Sequence, residues 1–471
     1  MTTAKNPVNR ATNAAYGSDV VIDMLQNLGI EYIALNPGAS YRGIHDSLVN
    51  YAGGKPEIIL CNHEGIAVAV AHGYAHAAGK PMAAAVHNVV GLLNASERIY
   101  SAWLDKTEVI VIGGTGPMGI DLRRPGADWI HTALVQGQAV REFTKYDDQP
   151  HNANSIPDSM LRAYQMATVE PKGPVYLCYD ADLQEAALEN PVPMPDPADF
   201  PVPAEPQANP EALRRTADLL LGAKRPVIAI NYIGNEAAVA ELVKLAELLG
   251  AAVVDEGDLF NFPNRHPLNL SGVTKDVLSE ADVVLALNLE NPEMMFSTTD
   301  RRTRKPRIVF GEDTKVIDVT LRHYALKSWA QSYAKMFPRA LSISADVKQI
   351  IPALVGLVQE NISAERKQQS GERTAALSKQ HDEIMAKYQE QAAMPKDGII
   401  NQAFIAQQTW EIIKDHDWSL LDRDLRAGWA RRLWDIKRKH QYFGTTKAGI
   451  GCALGRAIGA AIANRGTGRL N

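Results

Sequence analysis

The chain reads as α/β: three consecutive units, each built around a parallel sheet, with the third cut short. Three observations carry this reading. Short apolar runs alternate with segments of helical periodicity over the first 190 residues and again from about residue 211 to 320. The first three strand-to-strand intervals have room for a crossover helix, which parallel pairing requires. Two stretches of different composition, one proline-rich and one charged and glutamine-rich, divide the chain.

In the first unit, Val20, Val21, Met24, Leu25 and Leu28 recur at helical spacing, with Ser18 as the expected cap and Gly29 as the stop. Tyr32 to Leu35 is a short strand closed by the turn Asn36-Pro37-Gly38. Further strands are expected at Ile58 to Cys61 (read as buried), Met82 to Val86, Val109 to Ile112 and Val175 to Cys178. From Asn190 to Pro210 the chain holds eight prolines and reads as a semi-extended connector. Beyond it come a helix over 211–221, strand Val227 to Ile230 and a helix over 236–249. Strands at Ala251 to Val254, Val283 to Leu287, Arg307 to Phe310 and Lys315 to Val319 complete the second unit. Residues 359–391 read as a solvated helix or linker. A third unit then offers a helix near 399–413, a strand at Ser419 to Leu421 and a glycine-rich helix. The expected boundaries are 1–190, a linker at 191–209, 210–356, a charged linker at 357–395, and 396–471.

Composition narrows the function classes. A chain of 471 residues exceeds one hydrophobic core. Its 46% apolar and 22% charged content is that of an ordinary globular protein, and a net charge of −5 gives no electrostatic reason to expect nucleic acid or an anionic membrane. No apolar run approaches the ~20 residues of a membrane span, and the polar start, Met1 to Ala15, lacks the apolar core of a secretory signal. Cys61, Cys178 and Cys452 are far apart and sit among apolar or small residues, so they read as buried thiols in a reducing cytoplasm.

The chemistry is expected at the carboxyl ends of the first unit's strands, where ligands of such sheets gather. Glu64 stands where an apolar strand meets an Ala-rich helix, a costly place for an unpartnered carboxylate. Helix capping is its structural reading and a raised, proton-sharing pKa its functional one. His87, with Asn88, Gly91 and Asn94 beyond it, follows the next strand, and Gly113-Gly114-Thr115-Gly116-Pro117 the one after. Each is weak alone, because a strand-end histidine or glycine is commonly structural. Together they mark one sheet edge.

These residues carry a resemblance. Asn36-Pro37-Gly38, His63-Glu64-Gly65 followed by Ala71-His72-Gly73-Tyr74-Ala75, the exit Gly113-Gly114, and Lys172-Gly173-Pro174-Val175 with Asp180 resemble the pyrimidine-binding domain of thiamine-diphosphate-dependent enzymes. The group is that of the 2-oxo acid decarboxylases and acetolactate synthases. The second unit, entered at Arg225-Pro226-Val227, resembles the family's central Rossmann-like domain. The run Gly449-Ile450-Gly451 to Ala457-Ile458-Gly459-Ala460 is similar to the start of its diphosphate-binding domain. The resemblance gives Glu64 the family's glutamate role: it bonds the aminopyrimidine ring and promotes the tautomer that activates the thiazolium carbon. It also implies that Asn36, Pro37, Gly38, Gly449 and Gly451 bind cofactor, and that Ser40, His63 and Asn88 bind substrate. His87, 23 positions after Glu64, is similar to a histidine of the benzoylformate-decarboxylase branch and would protonate an intermediate or orient the substrate carboxylate. A small-molecule substrate and a homodimer or homotetramer follow from the same likeness.

The match has departures. Ala39 stands where the branch has a serine, with Ser40 next, and Asn288 to Phe296 holds no histidine. The Gly-Asp-Gly motif that holds Mg2+ in the family is not found, so no metal ligand is expected in this chain; about 100 residues of the third unit would be missing. The chain is read as a fragment, with a natural truncation or a split subunit as alternatives, and is not expected to hold thiamine diphosphate and Mg2+ tightly by itself. The central unit lacks a Gly-x-Gly-x-x-Gly fingerprint, so FAD is not expected, though some relatives bind it; Asn231 to Asn235 is the candidate loop. The lead expectation is a non-oxidative decarboxylase or carbon–carbon lyase acting on a 2-oxo acid. The alternatives are an acetolactate-synthase-like carboligase and a non-catalytic binding or scaffold paralogue.

Overall fold

The computed structural model describes residues 12–322, 337–395, 398–421, 428–444, 447 and 449–471, so most of the polar N-terminal stretch lies outside it. The chain divides into two compact units: Met1–Ala204 with Thr446–Arg469 and Asn471, and Glu205–Thr445 with Leu470.

The first unit is a six-stranded sheet: β1 Tyr32–Leu35, β2 Glu57–Leu60, β3 Met82–Val86, β4 Val109–Thr115, β5 Tyr146–Asp148 and β6 Val175–Asp180. All its pairings are parallel, in the order β2-β1-β3-β4-β6-β5. β3 and β4 are buried along their whole length, as continuous apolar runs in a sheet covered on both faces should be. The expectation of a buried strand at Ile58 to Cys61 is corrected: β2 is an edge strand, only half-covered, and Leu60 is 71% exposed. The polar β5 was not anticipated, because Tyr146-Asp147-Asp148 carries no apolar run.

Helix α1 Gly17–Asn27 precedes β1, and α2 Arg42–Asp46, α3 Glu64–Ala78 and α4 Val89–Leu104 connect the first four strands. Ser18 does not cap α1. It lies inside the helix and accepts a hydrogen bond from Ser47, while Asp19 Oδ2 accepts the Tyr16 N–H at 3.0 Å. Alanine-rich α3 is capped by His63 and stopped by Gly79 at φ 71°, a left-handed end that glycine adopts without steric cost.

The helix Cys452–Ala463 belongs to this same unit and lies across α3. Glycines allow that approach. A Cβ on Gly73 would sit 2.0 Å from Arg456 O, one on Gly459 1.9 Å from Val70 O, and one on Gly455 2.5 Å from Ala69 Cβ. Arg456, fully buried on the crossing helix, lies 3.6 Å from Asp105, which is 3.2 Å from the equally buried His72.

The second unit holds a five-stranded parallel sheet of β7 Pro226–Ile230, β8 Ala252–Asp255, β9 Val283–Leu287, β12 Lys315–Val319 and β13 Leu341–Ile343, ordered β13-β12-β9-β7-β8. The strand expected at Arg307 to Phe310 is corrected. β11, Pro306–Ile308, pairs antiparallel with β10, Ser297–Thr299, in a separate exposed ribbon. The charged stretch after residue 359 is mostly one helix, Ala364–Ala392, buried only at Ser370, His381, Ile384 and Ala392. Residues expected as a third unit divide between the two. Gln402–Ile413 and Trp429–Leu433 fall in the second, where Trp410, Trp418 and Trp434 form one aromatic cluster, and Cys452–Ala463 in the first. Among the described residues no helix is long and apolar enough to cross a membrane.

Candidate active site

From β1 the chain moves to one side for β2 and returns to the other side for β3. The crevice between the carboxyl ends of β1 and β3 is therefore the switch point, where a sheet of this kind opens for ligands. Asn36, Pro37 and Gly38 follow β1; His87 and Asn88 follow β3; Glu64 opens α3 after β2.

Glu64 is 5% exposed. Asn94 Nδ2, one and a half turns into α4, donates to Oε2 at 3.2 Å, and the Asn36 carboxamide bonds the same carboxylate. The raised pKa expected for this group is corrected. Burial pushes it up, but the backbone N–H at the helix start, Asn36, Asn94 and nearby His63 together hold it below the usual glutamate range. The carboxylate is thus an ionised acceptor fixed by amide donors. Gly91 lets α4 approach it: a Cβ there would meet Glu64 Oε1 at 2.8 Å and His87 Cβ at 2.7 Å.

His87 is half-buried. Its Nδ1 lies 2.9 Å from Ser40 Oγ, and a Cβ on Gly38 would come within 2.8 Å of that nitrogen. Its ring meets that of His131 edge-on at 5.1 Å. Burial, His131 and Arg124 lower its pKa, outweighing the opposite pull of Glu64, so the ring is neutral at pH 7. Ser40 is buried and accepts the Asn88 N–H at 3.0 Å. Asn88 is 1% exposed; its Nδ2 reaches Thr132 Oγ1 at 3.5 Å, and its Oδ1 has no hydrogen-bond partner among the described residues.

The other expected residues sit as follows. His63 is exposed, and its Nδ1 accepts the Gly65 N–H at 3.0 Å, which engages it in capping α3. Pro37 is exposed, and the Asn36 carbonyl accepts the Tyr41 hydroxyl. Gly449 donates its N–H to Glu97 at 2.6 Å, and Arg98 donates to Ile450 O at 3.2 Å. Gly451, at φ 96°, precedes the crossing helix. These glycines therefore meet α4 one turn beyond Asn94. Gly113 and Gly114 lie within β4 rather than in a loop, and a Cβ on Gly114 would come within 2.2 Å of Ser40 O.

Sequence reasoning missed His131, Thr132 and Gln184, the last of which donates to Ser40 O at 2.9 Å. They come from stretches without periodicity, and nothing local in the sequence marks them. A cleft of about 890 Å³ at the carboxyl ends of β5 and β6 lies on the far side of β4 from this crevice. Three of its acidic groups are already engaged: Asp147 by Arg141, Asp148 by Ser159, and Asp180 by the Met118 and Asp182 amides.

Residues 16–134 match the family model described as thiamine pyrophosphate enzyme, N-terminal TPP binding domain. Over 460 residues the chain is 26% identical to the acetolactate synthase isozyme 1 large subunit of Escherichia coli (strain K12), covering 95% of this chain and 75% of that protein. It is 26% identical over 306 residues to the mitochondrial acetolactate synthase catalytic subunit of Aspergillus candidus, covering 60% of this chain and 42% of that one. The crystal structure of benzoylformate decarboxylase from Polynucleobacter necessarius shares the fold, with a TM-score of 0.73 at 17% identity over 97% of this chain and 79% of that one. Residues 16–134 thus form a thiamine pyrophosphate enzyme N-terminal domain, in a chain whose sequence relatives include acetolactate synthases and whose fold is shared with a benzoylformate decarboxylase.

Proposed function

We propose that this chain uses thiamine diphosphate to cleave the bond beside the carbonyl of a 2-oxo acid, as a non-oxidative decarboxylase or carbon–carbon lyase. The observation that carries the reading is Glu64: a buried, ionised carboxylate at the switch point, held by Asn36 and Asn94, with neutral His87 across Gly91. Its surroundings suit an aminopyrimidine. A fixed acceptor stands beside a glycine that leaves no Cβ in the way, and the orphaned Asn88 Oδ1 calls for a donor. When bound, the cofactor supplies the electron sink for bond cleavage. Glu64 would accept an N–H from the ring in its protonated or imino form and so hold it in register; Asn36 and Asn94 keep the carboxylate from turning away. A neutral His87 suits holding the substrate carboxylate better than supplying a proton. His63, engaged as a cap, is assigned to helix stability before substrate binding.

The likeness to acetolactate synthases supports a second reading, ligation of two carbonyl compounds. The divalent cation a bound diphosphate calls for is part of the proposal; among the described residues no group of three or more His, Cys, Asp or Glu could hold it. Gly449 and Gly451 would let backbone approach the cofactor. In the second unit Asn231 is buried and donates to Glu256 and Asp258, and Asn235 caps a helix, which supports a structural role for the loop proposed for FAD. Exposed Leu60, Leu93, Ile450 and Leu454 in the first unit support association with a second copy, as homodimer or homotetramer. Cys61, Cys178 and Cys452 are buried and far apart in sequence, which suits thiols in a reducing cytoplasm.

The test is a panel of 2-oxo acids with the full-length protein, thiamine diphosphate and Mg2+, with product analysis on pyruvate. Carbon dioxide and aldehyde support the lead, and a ligated acyloin acid supports the second reading. Glu64→Gln should slow exchange of the thiazolium proton by about 100-fold or more; unchanged exchange would remove the assignment.

A further inference from the structure

We infer that the Ser40 hydroxyl holds His87 in the neutral tautomer that carries its proton on Nε2. Ser40 Oγ has two hydrogen-bond partners among the described residues: the Asn88 backbone nitrogen at 3.0 Å and His87 Nδ1 at 2.9 Å. A backbone N–H can only donate, so it takes one lone pair of the hydroxyl oxygen. The hydroxyl proton is then left with a single acceptor, His87 Nδ1. Ser40 is 1% exposed, so its hydroxyl is withdrawn from bulk water. The opposite tautomer, or an imidazolium, would aim a second N–H at the same oxygen and strand a buried O–H without an acceptor.

Both partners are held in place. Gln184 Nε2 donates to Ser40 O at 2.9 Å, and the approach of β4 to that carbonyl tolerates no Cβ on Gly114. The imidazole is confined by Gly38 beneath Nδ1 and by the His131 ring. His87 Nε2 makes no hydrogen bond among the described residues, so its proton remains available to a ligand.

Ser40 is accordingly a positioning residue, in place of the substrate-binding role its position suggested. The tautomer stands on geometry alone. Its use rests on the thiamine-diphosphate reading, in which the Nε2–H of His87 donates to the carboxylate or carbonyl oxygen of a 2-oxo acid and His87 is not the base.

The test uses the full chain labelled with 15N-histidine, without cofactor, in a long-range proton–nitrogen correlation spectrum near pH 7.5. His87 signals are identified by their loss in H87Q. The expected pattern is an unprotonated Nδ1 and a protonated Nε2 in the wild type, averaging toward a mixture in Ser40→Ala and restored in Ser40→Thr. A protonated Nδ1 in the wild type, or an unchanged pattern in Ser40→Ala, overturns the inference. If Ser40→Ala does not fold, the wild-type spectrum decides by itself. In the cofactor-loaded protein, Ser40→Ala should lose about 10- to 100-fold in kcat/KM, recovered by Ser40→Thr. Wild-type inactivity on every 2-oxo acid would defeat the functional reading, while the spectrum still decides the tautomer.

Discussion

A Cβ on Gly91 would lie 2.8 Å from Glu64 Oε1, so the buried carboxylate and the first turn of α4 share a contact that only a glycine permits. The same Cβ would meet His87 Cβ at 2.7 Å. Gly91→Ala must displace one of the two groups that define the site. The variant should unfold about 1–3 kcal/mol more easily and bind thiamine diphosphate at least about tenfold more weakly. Thermal melts and a fluorescence titration read both effects; unimpaired binding would show that the crevice has slack.

Gly459 and Gly73 meet backbone rather than flexible side chains across the helix crossing, at 1.9 Å and 2.0 Å for a notional Cβ. Neither contact can be relieved by a rotamer change. Gly459→Ala should therefore cost about 3 kcal/mol or more, whereas the uncrowded helical control Gly222→Ala should be neutral or stabilising by up to about 1 kcal/mol. Chemical denaturation followed by circular dichroism provides the comparison.

Asp105 is buried, which pushes its pKa up, yet Arg456 and then His72 hold it well below the usual carboxylate range. Removing the arginine leaves a buried carboxylate undercompensated, so Arg456→Met should cost about 3–5 kcal/mol at pH 7. A depressed folded-state pKa gives stability that is present above the unfolded value, about 3.9, and is lost as pH falls through the folded value. The gap between wild type and variant should therefore narrow as pH is lowered from 7 toward 3. A gap independent of pH would assign Arg456 a packing role alone.

Glu256, in the second unit, runs the other way. Burial and the adjacent Asp258 push it up to about 7, against amide donors from Glu290, Asn291 and Asn231. As pH rises from about 4.5, the unfolded chain gives up this proton first, so stability falls until about pH 7 and then levels. Asp255, pushed up to about 6 mainly by burial, adds to the same slope. Between pH 5 and 8 wild type should lose on the order of 2 kcal/mol more than Glu256→Gln. The slope, rather than the absolute midpoint, is the readout, because the amide also forfeits an acceptor facing a backbone N–H.

Much of the fold was legible because it is written in short-range pattern. The all-apolar runs at β3 and β4, the alanine-rich helix after Glu64 and the stop at Gly79 each declare themselves within a dozen residues. The stretch Arg307 to Phe310 looked like any sheet strand, since an apolar β-branched run does not say which strand it will pair with. The polar β5 was silent for the converse reason: an edge strand need not be apolar. Glu64 and His87 were found from strand-end position and family likeness, whereas their partners Asn94 and Ser40 differ from them by 30 and 47 positions.

Local periodicity alone thus established the alternation of strands and helices, and with it the sheet edge where chemistry would collect. Folding in three dimensions settled that β2 is an edge strand and that amide donors keep Glu64 ionised. It also settled that Ser40 reaches His87 and that Cys452–Ala463 crosses α3. The reason is physical: a side chain's preference for burial depends on its own atoms and near neighbours. Its charge state and hydrogen-bond partners depend instead on groups that arrive from distant parts of the chain.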